Sequence, residues 1–600
     1  LTLVSNKDDL IPLKDLDKRS FASVSIGKHA PAISKFQKTL DNYVSVKHFS
    51  VSSQPTGAEY AFIGKSIEKF DVVFVSVHSK TYSPRSNYGL SKKARGLIEI
   101  IRKSSAKIII TFFTSPYALS SVPTISDEDG VLVSYNNNTR AQELSAQLLF
   151  GGVGAKGRLP VSINDNLKAG FGIDTEPVRI RYSMPERVGI QHHMLDTIDS
   201  IANNAIKEKA TPGCQILVMK DNSVIYWKSF GHHTYEKKRA VQNSDIYDLA
   251  SLTKILSTTP GIMKLSDENK LSIDSTLGTY LDGNIDTSNK DFLVIKAIMS
   301  HYAQLKSWIP FWLETVDNVA WSKKKQKFTV GGAKYKDDYY ATERSDTHPF
   351  QVTDNLYMNK NYADSIMNKI IASKLRDKLS YLYSDLGYYF LMKIIDSLSG
   401  TTLDQYAVNE FYKPLGLQTM GFKPLTRFNK DRIVPTEDDY YFRKQLVHGH
   451  VHDPGASMLG GVGGHAGVFA NAHDVGIFMS MLLEGGSYGG KRYISDSTIK
   501  EFTRCHYCDD NRRAIGFDKP QMDYTKDGPT CQCISGESFG HTGFTGTLAW
   551  ADPKEKLVYV FLSNRVHPDG ENRKLIKMNV RTDIMQAIYD AVEQSKKIKE

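Results

Sequence analysis

A serine and a lysine three residues apart, Ser251 and Lys254 in DLASLTKIL (248–256), have a spacing that could do chemistry. At i and i+3 two side chains share one face of a helix. A serine hydroxyl attacks a carbonyl only when a base beside it takes its proton. A lysine can be that base if burial or neighbouring positive charge lowers its pKa. The same stretch also reads as a plain amphipathic helix, with Leu249, Leu252, Ile255 and Leu256 as its apolar side. Two distant stretches weigh against the plainer reading. YLYSDLGYYF (381–390) places Tyr383 and Asp385 on either side of Ser384, and HTGFTG (541–546) leads into the strand-like GTLAW. A Ser-x-x-Lys, a Tyr-Ser-Asp and a His-Thr-Gly in this order form a specific set.

On those residues, 190–600 resembles the superfamily of class C β-lactamases, penicillin-binding proteins and serine esterases. Its pattern is SxxK, then YxN, then KTG or HTG on an edge strand. YDLASLTK and the glycine-rich GVGGHAGVFANAHDVGIFM (461–479) look like further parts of it. The resemblance implies an antiparallel sheet with a helical subdomain. In it Ser251 would attack a carbonyl and become acylated, and Lys254 would share or take the proton. Tyr383 would relay that proton to the leaving group and later help to activate water. A tyrosine is neutral at pH 7, so its use as a base asks Lys254 and His541 to favour the phenolate. The N–H groups of Ser251 and Phe544 would hold the oxyanion if the strand carrying Thr542, Gly543 and Phe544 lies beside the nucleophile.

Two departures bear on the substrate. Asp385 stands where Asn is usual, which adds a negative charge and removes a donor. Unless Lys254 pairs with it, a carboxylate-bearing substrate is disfavoured there. His541 stands where β-lactamases carry lysine, and a histidine is mostly neutral at pH 7. Both changes argue against efficient β-lactamase action and leave ester, amide or peptide cleavage. The expected function is a serine hydrolase working through an acyl-enzyme on cell-wall or envelope-derived substrates, with no cofactor required. The alternative is a non-catalytic wall-binding or accessory module on the same fold.

The elements that must position these residues fall into two parts. In 1–185, strand-like FASVSIG (21–27), YVSVKHF (43–49), FDVVFVSV (70–77), AKIIITFFTS (106–115) and GVLVSYNN (130–137) alternate with helical stretches at 30–40, 58–68, 89–103 and 138–150. Continuous apolar strands in a βαβα order predict an α/β sandwich with a mostly parallel sheet. The glycine-rich GGVGAKGRLP (151–160) follows a helix and runs into proline, so it is no nucleotide loop. LTLVSNKDDLIPL and AQELSAQLLFGGVGAKGRLPVSI (141–163) resemble the C-terminal α/β sandwich domain of glycoside hydrolase family 3, of its β-N-acetylglucosaminidase kind. In that family the catalytic groups sit in a preceding barrel, and no residue here matches them. The resemblance implies a β-N-acetylhexosaminidase barrel upstream that packs on this part, and the first residues read like the middle of a longer polypeptide.

In 186–600 a hairpin (210–231) with a DN turn opens the unit. A mostly helical stretch follows, strands return at 546–553 and 556–564, and a helix closes the chain at about 576–597. Residues 315–360 read as an irregular insertion. RCHYCDDN and TCQCIS bring Cys505, Cys508, Cys531 and Cys533 close in sequence; a structural zinc site and two disulfides both fit.

Net charge is +10, with a local cluster at Lys323, Lys324, Lys325 and Lys327. The rest of the excess is spread out, without the basic stripe and aromatic platforms of a nucleic-acid binder. No run of eighteen apolar residues predicts a transmembrane span. The family resemblance implies the bacterial periplasm or envelope.

Overall fold

The computed structural model describes residues 1–600 except 28–32, 80, 123–124, 126–127, 323, 325–326, 524 and 600, and the side chains of 327, 598 and 599. The start of the helix expected at 30–40 and most of the basic cluster, Lys323, Lys325 and the side chain of Lys327, lie outside the described residues. The chain divides into two compact units. One holds Leu1–Tyr182 with Lys413–Gln418 and Tyr488–Lys491; the other holds Ser183–Tyr412, Thr419–Ser487 and Arg492–Glu600.

The first unit carries a sheet of six strands, β1 (Thr2–Asn6), β2 (Phe21–Ile26), β3 (Lys47–Val51), β4 (Val72–His78), β5 (Lys107–Phe113) and β6 (Gly130–Val133), in the order β1-β6-β5-β4-β2-β3. β2 to β6 run parallel and β1 closes one edge antiparallel to β6. Every residue of β4 is buried, as the continuous apolar run requires of a strand covered on both faces. The helices are α1 (Lys35–Leu40), α2 (Gly57–Ile67), α3 (Lys92–Arg102) and α4 (Thr139–Leu149). Ser34 and Thr56 open α1 and α2 with capping boxes to Gln37 and Glu59, which satisfies N–H groups that a helix start leaves unpaired. Two details differ from the sequence reading. β3 begins four residues later than expected, and β1 was not foreseen because its pattern is too short to stand out.

The second unit is organised on an antiparallel ladder. Its hairpin is β7 (Gly213–Lys220) and β8 (Ser223–Gly231). Asp221 and Asn222 turn it with φ of 49° and 54°, the left-handed pair that a two-residue hairpin demands. The segment expected to be irregular, 315–360, instead carries a hairpin of β9 (Val316–Ser322) and β10 (Lys327–Tyr335), followed by three short paired strands between 340 and 358. Its Lys-, Asp- and Asn-rich sequence hid the pairing because both faces of β9 are largely exposed. Near the end, β11 (Cys505–Tyr507) pairs with β12 (Asn511–Ala514). Then β13 (Phe539–Thr542), β14 (Leu548–Asp552) and β15 (Leu557–Ser563) complete the ladder in the order β13-β14-β15-β7-β8.

The helices α5 (Asp196–Lys207) and Val580–Lys599 pack on this ladder through Ile198, Ala202, Ile584 and Ile588, against Trp550, Tyr559 and Phe561. Ala472–Leu483, almost wholly buried, lies against β7, β14 and β15. Gly476 makes this possible, since a methyl there would collide with Leu217 and Met219. The sheet is thus fixed by chain segments more than 300 residues apart, and β13 is held as an edge strand beside the segment that contains Ser251.

Candidate active site

Ser251 lies at the start of a helix that is buried rather than amphipathic. Leu249, Leu252, Lys254, Ile255 and Leu256 all have no exposed surface. Ala250, just before the serine, has φ +47°, a left-handed conformation that a residue with a Cβ rarely adopts. The N–H of Ala250 donates to Asp248 Oδ1 at 2.8 Å, which holds this turn. Lys254–Thr258 then follow as a π-helical turn before the regular helix Thr259–Asp267. Such wide turns often occur at functional sites, and this one begins at the lysine itself.

Lys254 Nζ donates to Ser251 Oγ at 3.0 Å and to the carbonyl of His465 at 3.2 Å. It also forms an ion pair with Asp385 Oδ1 at 2.7 Å. Tyr383 Oη donates to Ser251 Oγ at 2.9 Å. The serine oxygen therefore sits between the amine and the phenol, and residues 251, 254, 383 and 385 converge. Burial presses the Lys254 pKa down, but the charge of Asp385 and the Tyr383 hydroxyl outweigh it and raise the value. The condition for a free-amine base, a lowered pKa, is therefore not met, and the pairing with Asp385 that the sequence left open is present: a fixed anion 2.7 Å away stabilises the ammonium more than burial penalises it. Tyr383 is raised as well, first by burial; Lys254 and Arg513 pull it down while Asp385 pushes it up.

Asp385 thus raises both groups, which fixes the sign of a test. In Asp385→Asn both pKa values fall, so the group that must lose its proton does so at lower pH. The acidic limb of kcat/KM against pH is expected to move downward. A limb that stays or moves upward would show that neither group carries the proton.

His541 was expected to help Tyr383 toward the phenolate. It does not supply the charge. Its Nδ1 donates to the carbonyl of Thr542 at 2.6 Å, so its Nε2 accepts from Arg513 Nη1 at 2.9 Å. Burial, then Arg513 and Lys254, press its pKa well below the ordinary histidine value. The cation here is Arg513, on β12, whose guanidinium lies 5.1 Å from the Tyr383 ring centre and pairs with Asp518 at 3.2 Å. Sequence reading missed Arg513 because nothing in NRRA marks it; only the pairing of β12 brings it to the site. It also missed His301, whose ring lies 4.4 Å from that of Tyr383 and whose Nδ1 accepts the Ser384 N–H at 3.2 Å.

The strand β13 ends at Thr542, so Gly543 and Phe544, expected on it, form the turn that follows, and this turn lies beside the nucleophile. Thr545 Oγ1 and Thr547 Oγ1 donate to the carbonyls of Asp248 and Leu249 at 2.8 and 3.1 Å. A Cβ on Gly543 would strike the Leu249 carbonyl and Thr547, so only glycine allows this approach. Among the described residues, neither the Ser251 nor the Phe544 N–H is engaged, which leaves two donors where an oxyanion would form.

These residues open into a cleft of about 770 Å³ lined also by Trp308, Trp312, Arg565 and Phe544. Trp308 is exposed, while Trp312 is buried behind the wall. The three alternating histidines do not converge: His448 bonds the Ile433 carbonyl, His450 Asp354 and His452 Glu437. The cysteines pair within each motif, Cys505–Cys508 and Cys531–Cys533, and Cys214 is a buried free thiol. Among the described residues, no group of three or more His, Cys, Asp or Glu is placed to hold a metal, and no helix is long and apolar enough to cross a membrane.

A serine held between a lysine and a tyrosine, under a glycine-bearing edge strand, defines an enzyme of the serine-hydrolase type. A family model described as Beta-lactamase matches residues 198–578, and the chain belongs to this family. A curated relative from Salmonella enteritidis PT4 (strain P125109), named "Putative D-alanyl-D-alanine carboxypeptidase", is 30% identical over 431 residues, 65% of this chain and 87% of its own. Among solved structures, a penicillin-binding protein homolog from Caulobacter crescentus aligns over 66% of this chain and 97% of its own, with 17% identity and a TM-score of 0.46. EstCE1, a hydrolase with promiscuous acyltransferase activity, aligns over 66% and 99%, with 17% identity and a TM-score of 0.47.

Proposed function

We propose that this chain cleaves amide or ester bonds of cell-wall or envelope-derived substrates through an acyl-enzyme on Ser251. The observation that carries this reading is the serine oxygen placed 3.0 Å from Lys254 Nζ and 2.9 Å from Tyr383 Oη. For the attack the Tyr383 phenol first loses its proton to solvent, which leaves a phenolate beside the Lys254 ammonium; the Ser251 Oγ–carbonyl bond then forms as the serine proton passes to the phenolate oxygen. That proton then goes to the leaving amine or alcohol, and water repeats the sequence in reverse. Lys254, kept charged by Asp385, serves as the electrostatic partner of a transient phenolate rather than as a free amine. The N–H groups of Ser251 and Phe544 hold the oxyanion. No cofactor enters any step.

Arg513 alters what the substrate can be. Asp385 is neutralised by Lys254, and Asp518 is shared between Arg512 and Arg513, so the guanidinium beside His541 belongs to a cluster with one positive charge in excess for a peptide ending in a free carboxylate. The carboxypeptidase name of the relative supports the same choice. The two disulfides support an oxidising compartment such as the periplasm. Residues 1–185 are read as the sandwich domain of a family 3 glycosidase, and no step of this chemistry uses them.

The test compares a D-alanyl-D-alanine peptide with its C-terminal amide. The wild type is expected to prefer the acid, and Arg513→Ala to raise KM for the acid by about ten- to a hundredfold, the worth of a charged hydrogen bond. Arg513→Lys, which keeps the charge beside Asp518, is the folding control. Equal cleavage of acid and amide by the wild type would overturn the carboxylate reading in favour of a simple esterase or amidase.

A further inference from the structure

The two N–H groups that meet the oxyanion stand on separate parts of the chain. Ser251 follows the turn through Asp248 and Ala250, whereas Phe544 lies in the turn after β13. Such donors stabilise a developing charge only when they are fixed before it forms, and a displacement of about 1 Å costs about a hundredfold in rate. One buried residue touches both turns. Asp248 keeps only 2% of its surface exposed, and its backbone is anchored by pairing with Phe469.

Three acceptors of Asp248 are used, each toward a different part of the oxyanion site. Oδ1 takes the Ala250 N–H at 2.8 Å and so supports the left-handed φ of +47° from which Ser251 departs. The main-chain carbonyl takes Thr545 Oγ1 at 2.8 Å, one residue beyond Phe544. Oδ2 takes the His452 N–H at 2.6 Å. The His452 ring in turn stacks on that of Phe544, with centres 5.4 Å apart and planes at 25°, and the Arg565 guanidinium lies 4.5 Å from the Phe544 ring centre. Phe544 is otherwise 53% exposed, so its placement depends on few contacts. Among the described residues no Lys, Arg or His side chain is paired with the Asp248 carboxyl group. A buried carboxylate without a counter-ion is costly, and burial raises the Asp248 pKa more than the two N–H bonds and His452 lower it. An asparagine of the same shape is cheaper to bury, but it offers one accepting atom where Asp248 uses two.

We propose that Asp248 is a positioning residue for the oxyanion hole: its three acceptors hold the Ser251 and Phe544 N–H groups in one register, so that it acts on the tetrahedral intermediate without touching substrate. The inference rests on the serine-hydrolase reading of Ser251.

Phenylboronic acid and p-nitrophenyl acetate test it on the full chain, with rates and affinities counted per active site by fluorophosphonate titration. In the boronate complex Ser251 Oγ adds to boron as the serine proton leaves, and a boronate oxygen takes the oxyanion position. Asp248→Asn, which keeps the shape and loses one acceptor, is expected to lower kcat/KM and to weaken the boronate by the same factor, about ten- to a hundredfold. Thr545→Val removes only the bond to the Asp248 carbonyl. The same paired loss, smaller in size, is expected there, and this variant decides the matter if Asp248→Asn does not fold. A merely structural role would lower the melting temperature and the titratable fraction, with kcat/KM and boronate affinity per site within about twofold of the wild type in both variants; that result overturns the positioning role. A fall in kcat/KM with boronate affinity unchanged overturns it as well. A wild type that neither binds the boronate nor reacts with the fluorophosphonate would remove the hydrolase reading, and the positioning role with it.

Discussion

Replacing Ser251 by alanine is expected to abolish covalent labelling by a fluorophosphonate or a penicillin and to lower turnover by about 10⁶-fold, the scale seen when a catalytic serine is removed. The size follows from the geometry. Lys254 and Tyr383 both address one oxygen, Ser251 Oγ, and the two unengaged N–H groups serve the oxyanion that its attack creates, so removing it idles the whole set at once. The substitution itself is mild for the fold, because Ser251 is only half-buried and Lys254 keeps its bonds to the His465 carbonyl and to Asp385. A thermal melt close to the wild type should accompany the loss. Intact-mass spectrometry of the labelled protein is the direct measurement. Labelling that persists in the variant would mean that another residue is the nucleophile, and unlabelled wild type would favour the non-catalytic wall-binding alternative.

The second large effect is expected at Tyr383. Tyr383→Phe removes only the hydroxyl that donates to Ser251 Oγ; the ring remains for His301 at 4.4 Å and for Arg513 at 5.1 Å. A positioned proton carrier contributes about 10²–10⁴-fold, and kcat should fall by that factor. Because the phenol serves both the leaving group and the attacking water, stopped-flow traces should show acylation and deacylation slowed together. The alternative carrier is Lys254 acting alone. Turnover within about tenfold of wild type would select it and remove Tyr383 from the proton path.

Much of the serine centre was legible in the chain itself. SxxK, the Tyr-Ser-Asp and HTG could be joined across 290 residues because each is constrained by local chemistry: a nucleophile needs a neighbour one helical turn away, and an oxyanion strand needs glycine where backbones touch. The α/β pattern of the first unit was equally readable, since buried parallel strands must be continuously apolar and their helices carry capping residues. Polar, exposed strands such as β9 leave no such record, and the insertion was read as irregular for that reason.

Sequence by itself determined which side chains could form the site; the direction of their proton equilibria was decided only by tertiary structure. A lysine that acts as a free base needs a lowered pKa, and Asp385 at 2.7 Å gives Lys254 the opposite shift. His541 was the natural source of charge for Tyr383, yet burial, then Arg513 and Lys254, keep it neutral against the bond to the Thr542 carbonyl. A pKa is set by the nearest charges and by burial, both functions of distance in space. Arg513 is 28 positions from His541 along the chain and 2.9 Å away in the fold, and that second number is what sets a guanidinium against the histidine and, after burial, lowers its pKa.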